Sequence, residues 1–139
     1  MSHPMSDTTS LPSGPRGEHS PRQVLVTGGA GFIGCNFVRH LLASDAEVRV
    51  VNVDALTYAG HLASLEGVAE SFGERYCFER ADIRDADAMR RVFTDHGIDT
   101  VVHFAAESHV DRSIDGPLDF IDTNIRGTAV LLERARTTW

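Results

Sequence analysis

Several things are scarce in this 139-residue chain, and each shortage removes a class of function. No stretch approaches the roughly eighteen consecutive apolar residues of a membrane span, and no charged start leads into a signal-peptide core. A basic field is missing too: the formal net charge is −7 and the pI is near 5.4, which argues against nucleic acid as a partner. Cysteine is limited to Cys35 and Cys77, which have neither metal-ligand spacing nor the density of a disulfide framework. They read as small apolar residues of a core in a reducing compartment, so a cytoplasmic protein is expected. The seven histidines are scattered, and no metal site is expected. Residues 1–22, rich in Ser, Pro, Gly and Thr, have almost no apolar content and are expected to form a disordered tail.

What remains, residues 23–139, has room for one domain, and an apolar share of 42% permits a core. The chain is organised around Gln23-Val24-Leu25-Val26-Thr27-Gly28-Gly29-Ala30-Gly31-Phe32-Ile33-Gly34. Val24, Leu25 and Val26 form the continuous apolar run of a strand buried on both faces. A helix follows at once, with Ile33, Phe37 and Leu41 repeating every fourth residue and Val38 and Leu42 widening the stripe. Between them Gly28, Gly31 and Gly34 suit a phosphate-binding turn. Gly28 allows a sharp bend, Gly31 removes a Cβ that would block a pyrophosphate, and Gly34 allows close packing of helix and strand. A tight connection with no ligand is the competing reading of the turn alone.

A second strand, from Glu47 to Val53, ends on Asp54, twenty residues after Gly34. At that offset a dinucleotide fold places a carboxylate on the adenosine ribose, and no Arg stands beside Asp54 to accept a 2′-phosphate. The expected cofactor is therefore NAD rather than NADP. A helix is expected from about His61 to Phe72, then a strand at Tyr76-Cys77-Phe78-Glu79. Asp82 and Ile83 close that strand where an adenine needs an edge contact and a lid, and Asp85 suits a helix N-cap. A helix from about Ala86 to His96 leads to a strand from Asp99 to Ala106, whose small end would let a cofactor pass. His103 inside it reads as a packed core residue. The polar loop from Glu107 to Gly116 suits substrate contacts or a hydrogen-bonded structural loop. Pro117 opens a long helix with Leu118, Ile121, Ile125, Thr128 and Leu132 along one side, suited to packing on the sheet and against a partner helix. The lowered helix propensity at Gly127 hints at a close contact. The fold class is α/β: a partial Rossmann, doubly wound parallel sheet in the strand order 3-2-1-4, truncated before its fifth strand.

Thr27–Gly34, Asp54–Gly60, Asp82–Asp85 and Ala105–Ile114 together resemble the amino-terminal part of the dTDP-glucose 4,6-dehydratases, within the extended short-chain dehydrogenase/reductase family. The resemblance implies NAD contacts from Phe32, Ile33, Asp54, Leu56, Thr57, Asp82, Ile83, Phe104, Ala105, Ala106 and Thr123. It also implies that Ser108 reaches the sugar nucleotide, with dTDP-glucose as substrate of the parent enzyme and a homodimer as its assembly. Ala55 stands where the family usually has Lys. The family's Tyr-x-x-x-Lys pair and its Thr-Asp-Glu belong after the fifth strand, and no Tyr-x-x-x-Lys occurs here. The resemblance thus implies a cofactor-binding fragment that carries no catalytic residue. A 4-epimerase or another dehydratase of the superfamily, and a non-catalytic NAD-binding module, are the alternatives.

Overall fold

A computed structural model describes residues 17–57, 60–108 and 114–139. Most of the expected tail (1–16), Tyr58, Ala59 and the loop positions 109–113 lie outside the described residues. Four parallel strands, β1 (Gln23–Thr27), β2 (Arg49–Asp54), β3 (Tyr76–Arg80) and β4 (Thr100–His103), form one sheet in the order β3-β2-β1-β4. Leu25 is in register with Val51 on one side and Val101 on the other, so β1 is central and contributes side chains to both faces. Val24 and Val26 pack with Cys35, Val38 and Leu42 of α1 (Phe32–Ser44). Leu25 packs on the opposite face with Met89, Val92 and Phe93 of α3 (Ala86–His96). Leu25, Val38, Leu42, Met89 and Phe93 are essentially inaccessible, each contributing about 1.5–3 kcal/mol of burial.

Two expected helices differ from their sequence patterns. The segment from His61 to Phe72 is a short 3-10 turn, Leu62–Leu65, followed by the helix α2 (Val68–Phe72). Gly67 separates them because it adopts φ +77, a left-handed conformation that no continuous helix contains. The long final helix exists as α4 (Pro117–Ile121), one wide π-helical turn (Asp122–Arg126) and α5 (Gly127–Thr138), all right-handed at the joints. The expected apolar stripe is not the face against the sheet: Leu118, Ile121, Ile125 and Leu132 are exposed, and Gly127 and Leu131 are buried instead. The reason is distance. A Cβ at Gly127 would overlap the Ile83 side chain, so the helix can approach the sheet only with Gly127 at that contact and Leu131 one turn on, and this rotation turns the bulky stripe outward. At the end of α5, Trp139 donates its indole N–H to the carbonyl of Ile98 at 2.8 Å, and its ring lies 6.2 Å from that of Phe93. Among the described residues no helix is long and apolar enough to cross a membrane.

Candidate cofactor-binding crevice

The carboxyl ends of the strands open into a crevice of about 410 Å³. Gly28, Gly31, Phe32, Ile33, Gly34, Asp54, Thr57, Asp82, Ile83, Phe104, Ala105, Ala106, Ser108 and Thr123 all line it. These residues are spread over almost a hundred positions of sequence, and parallel pairing of the strands is what brings them together. Leu56 is absent from the lining: it has φ +55 and packs against the α1-side core. Phe32 and Ile33 are exposed at the mouth, so the expected stripe of α1 meets the sheet through Val38 and Leu42, with Phe37 and Leu41 partly buried and Cys35 added, and only its first residue, Ile33, faces the crevice. Six further residues line it that the sequence-based set does not contain: Ala55, Gly60, Arg84 and Glu107 lie inside the motif stretches, and Val53 and Ala81 directly precede two of them.

The glycine turn is shaped by its neighbours. Gly28 has φ +71, and a Cβ there would come within 2.5 Å of the Ala105 backbone nitrogen, so the turn after β1 and the loop after β4 touch directly. A Cβ at Gly34 would collide with the carbonyl of Gly28 and the Cα of Gly29; the close approach it permits is to the turn, not to the strand as the spacing suggested. Gly31 is the N-cap of α1 and makes no side-chain cap, and no acidic residue occupies the first turn. The first N–H groups of a helix have no intrahelical acceptor, and the helix dipole is positive there. This end is therefore open to an anion.

Asp54 is only 8% exposed, so it is neither a solvated loop residue nor a helix cap. Its Oδ2 accepts from the Ala30 N–H at 2.9 Å and its Oδ1 from the Leu56 N–H at 2.8 Å. A carboxylate oxygen accepts two hydrogen bonds, so each keeps capacity for a ligand hydroxyl. Asp82 is engaged by its own loop: Arg84 donates from its backbone, Nε and Nη2 at 2.7–3.1 Å, and reaches Asp122 at 3.1 Å. The Arg84 guanidinium holds the Asp82 carboxyl below the usual carboxylate range. Ile83 is buried against Gly127 and also lines the crevice. As expected, Asp85 caps α3, accepting from the N–H groups of Asp87 and Ala88.

Below the turn, His103 Nδ1 and Thr27 Oγ1 are 2.6 Å apart, and His103 Nε2 lies 3.1 Å from Thr128 Oγ1. Burial pushes the His103 imidazole below its ordinary value, so it is held neutral as a link between β1, β4 and α5. Asn124, in the wide turn, accepts from the N–H of Glu107 and donates to its carbonyl, both at 2.8 Å. That pair fixes the backbone entering the loop that holds Ser108.

Residues 25–139 match the family described as GDP-mannose 4,6 dehydratase. The chain belongs to that family. It is 62% identical over 117 residues to a dTDP-glucose 4,6-dehydratase of Shigella flexneri, covering 84% of this chain and 32% of that protein. It also resembles the crystal structure of a dTDP-glucose 4,6-dehydratase from Streptomyces venezuelae with NAD bound, at 49% identity and a TM-score of 0.76, over 84% of this chain and 36% of that one. A UDP-glucose-4-epimerase from Stenotrophomonas maltophila, also with NAD bound, follows at 37% identity and a TM-score of 0.74, over 84% of this chain and 34% of that one. The chain thus spans about a third of the length of the curated relatives it matches.

Proposed function

We propose that this chain is the NAD-binding portion of a dTDP-glucose 4,6-dehydratase, the enzyme that converts dTDP-glucose to dTDP-4-keto-6-deoxyglucose with loss of water. The observation that carries the reading is the convergence, in one crevice, of the uncapped α1 N-terminus, the Asp54 carboxylate and the Phe104–Ser108 loop. The preference for a dehydratase over an epimerase rests on the 62% identity to the Shigella flexneri dehydratase and, among solved structures, on 49% to the Streptomyces venezuelae dehydratase against 37% to the epimerase.

The residues fit the cofactor. The turn of Gly28, Gly31 and Gly34 leaves room at an N-terminus suited to a pyrophosphate. Asp54 accepts from the adenosine ribose and repels the extra phosphate of NADP, Asp82 and Ile83 flank the adenine, and Phe32, Ile33 and Thr57 complete the walls. Phe104, Ala105, Ala106 and Thr123 line the side toward Ser108, which meets the sugar nucleotide. When bound, NAD supplies a hydride acceptor that oxidises a sugar carbon and later returns the hydride. Positioning is what these residues contribute, and it removes much of the entropic barrier to that transfer. General acid and base groups are not among them: the 139 residues contain no lysine, hence no Tyr-x-x-x-Lys. The chain alone is therefore inactive toward dTDP-glucose.

The exposed row of Leu118, Ile121, Ile125 and Leu132 suits the subunit contact of a homodimeric parent enzyme. Free Cys35 and Cys77 suit a reducing cytoplasm.

The test is a calorimetric titration of the folded chain with NAD and NADP, followed by incubation with dTDP-glucose and NAD. Tighter binding of NAD and no 4-keto-6-deoxy product are expected. Equal affinities would overturn the cofactor assignment, and product would overturn the inactivity of the chain.

A further inference from the structure

Folding assembles a group of side chains that the sequence keeps apart. Cys77 and Glu79 are two apart on β3, in register with Val51 and Val53, and so point to the face that carries α3. His96 is the last residue of α3. Its Nε2 donates to Glu79 Oε1 at 2.5 Å, and the Cys77 sulfur, the Glu79 oxygen and the His96 nitrogen all lie within 4.8 Å of one another. None of the three lines the cofactor crevice.

We propose that Cys77, Glu79 and His96 form a site for a divalent first-row cation of the zinc class, bound with water as fourth ligand. The donor set of one sulfur, one nitrogen and one oxygen is that of a borderline-soft ion. In a tetrahedral shell with bonds of about 2.0–2.3 Å, ligand atoms are roughly 3.3–3.8 Å apart, so the ion replaces the 2.5 Å His96–Glu79 hydrogen bond, parting that pair by small side-chain rotations while the Cys77 sulfur draws in. Half-burial supplies both access and shelter: the His96 and Glu79 side chains are 26% and 38% exposed. Binding releases the Cys77 thiol proton to solvent, and the His96 imidazole binds through Nε2 with its proton on Nδ1. Thiolate and carboxylate then balance the two charges of the ion. Burial and the neighbouring Glu79 hold the free thiol above its ordinary pKa, and a bound cation reverses both influences. The ion would clip the outer strand of the sheet to the end of α3, at an edge that has a neighbour on one side only. The site is independent of NAD.

The experiment uses the full 139-residue chain, stripped with a chelator and titrated with Co²⁺, then with Zn²⁺. One Co²⁺ per chain is expected, with a thiolate-to-cobalt charge-transfer band that Zn²⁺ removes. Cys77→Ser abolishes the band and Cys35→Ser keeps it. His96→Gln and Glu79→Gln each weaken the apparent affinity by about tenfold or more. A melting readout guards against binding to unfolded chain: Zn²⁺ raises the midpoint of the wild type and not that of Cys77→Ser. Absence of the band, its survival in Cys77→Ser, unchanged affinity in both His96→Gln and Glu79→Gln, or a Zn²⁺ shift equal in wild type and Cys77→Ser would each overturn the proposal.

Discussion

The helices α1 and α3 each follow a parallel strand of the same sheet, yet their first turns are finished in opposite ways. α3 is closed by its own sequence: Asp85 accepts from two of its first N–H groups, and Asp87 adds negative charge beside them. α1 has no side-chain cap and no acidic residue in its first turn, and it begins at a glycine in the wall of the crevice. A helix capped at its N-terminus is a structural part. One left bare in a concave site keeps its field available for something that arrives from outside. The difference lies in side chains at the ends, since both helices bury comparable apolar faces.

The largest expected effect comes from making α1 resemble α3. Gly31 has an ordinary extended backbone, with φ −77, and a Cβ there would be 3.3 Å from the Gly28 carbonyl, a tight but adjustable fit. Gly31→Asp would cap α1 and set a carboxylate against the pyrophosphate, a repulsion on the order of 4 kcal/mol at ~4 Å and an effective dielectric of ~20. Calorimetry should show NAD binding lost while the melting temperature stays near that of the wild type. The next effect sharpens the ribose assignment: Asp54→Ala should lower NAD affinity by about 1.5–3 kcal/mol and erase the preference over NADP, as competitive titration would show. Opening α3 by Asp85→Ala should cost about 1 kcal/mol in urea denaturation without changing NAD affinity, since that N-terminus has no ligand to lose. The smallest effect is in the support beneath the open turn. Because burial lowers the His103 pKa, the unfolded chain binds more protons below pH 6.5, so stability is present above that value and falls as the pH drops through it. Denaturation at about pH 7.5 and pH 5.5 should show the decline, and His103→Gln should flatten it.

Much of this contrast was legible in the chain. The apolar runs of β1 and β2 announce buried parallel strands, and the glycine spacing with Asp54 announces the turn, because both depend on local residue chemistry. The cap at Asp85 is local in the same sense. The orientation of the last helix was not legible. Its bulky residues repeat as a buried stripe would, and only the approach of Gly127 to Ile83 decides that Gly127 and Leu131 face inward instead. The break at Gly67 has no signal in the sequence, because one glycine in a helical pattern is usually tolerated and only its left-handed φ separates the two short turns. Arg84 gives no sign in sequence that it engages both Asp82 and Asp122, the latter 38 residues away. Cys77, Glu79 and His96 meet only because strand and helix pack, so their spacing reveals nothing.

Trp139 is the single tryptophan of the chain, and it is docked at the far end of α5 by its indole N–H on Ile98 and its ring beside Phe93. The protein therefore carries a built-in fluorophore whose emission reports whether the last helix is seated. The docked ring is itself 62% exposed, so its release is read mainly as a fall in emission anisotropy rather than as a red shift. Undocking of α5 can thus be followed separately from melting of the sheet, without a label, by comparing emission with far-ultraviolet dichroism during the same denaturation.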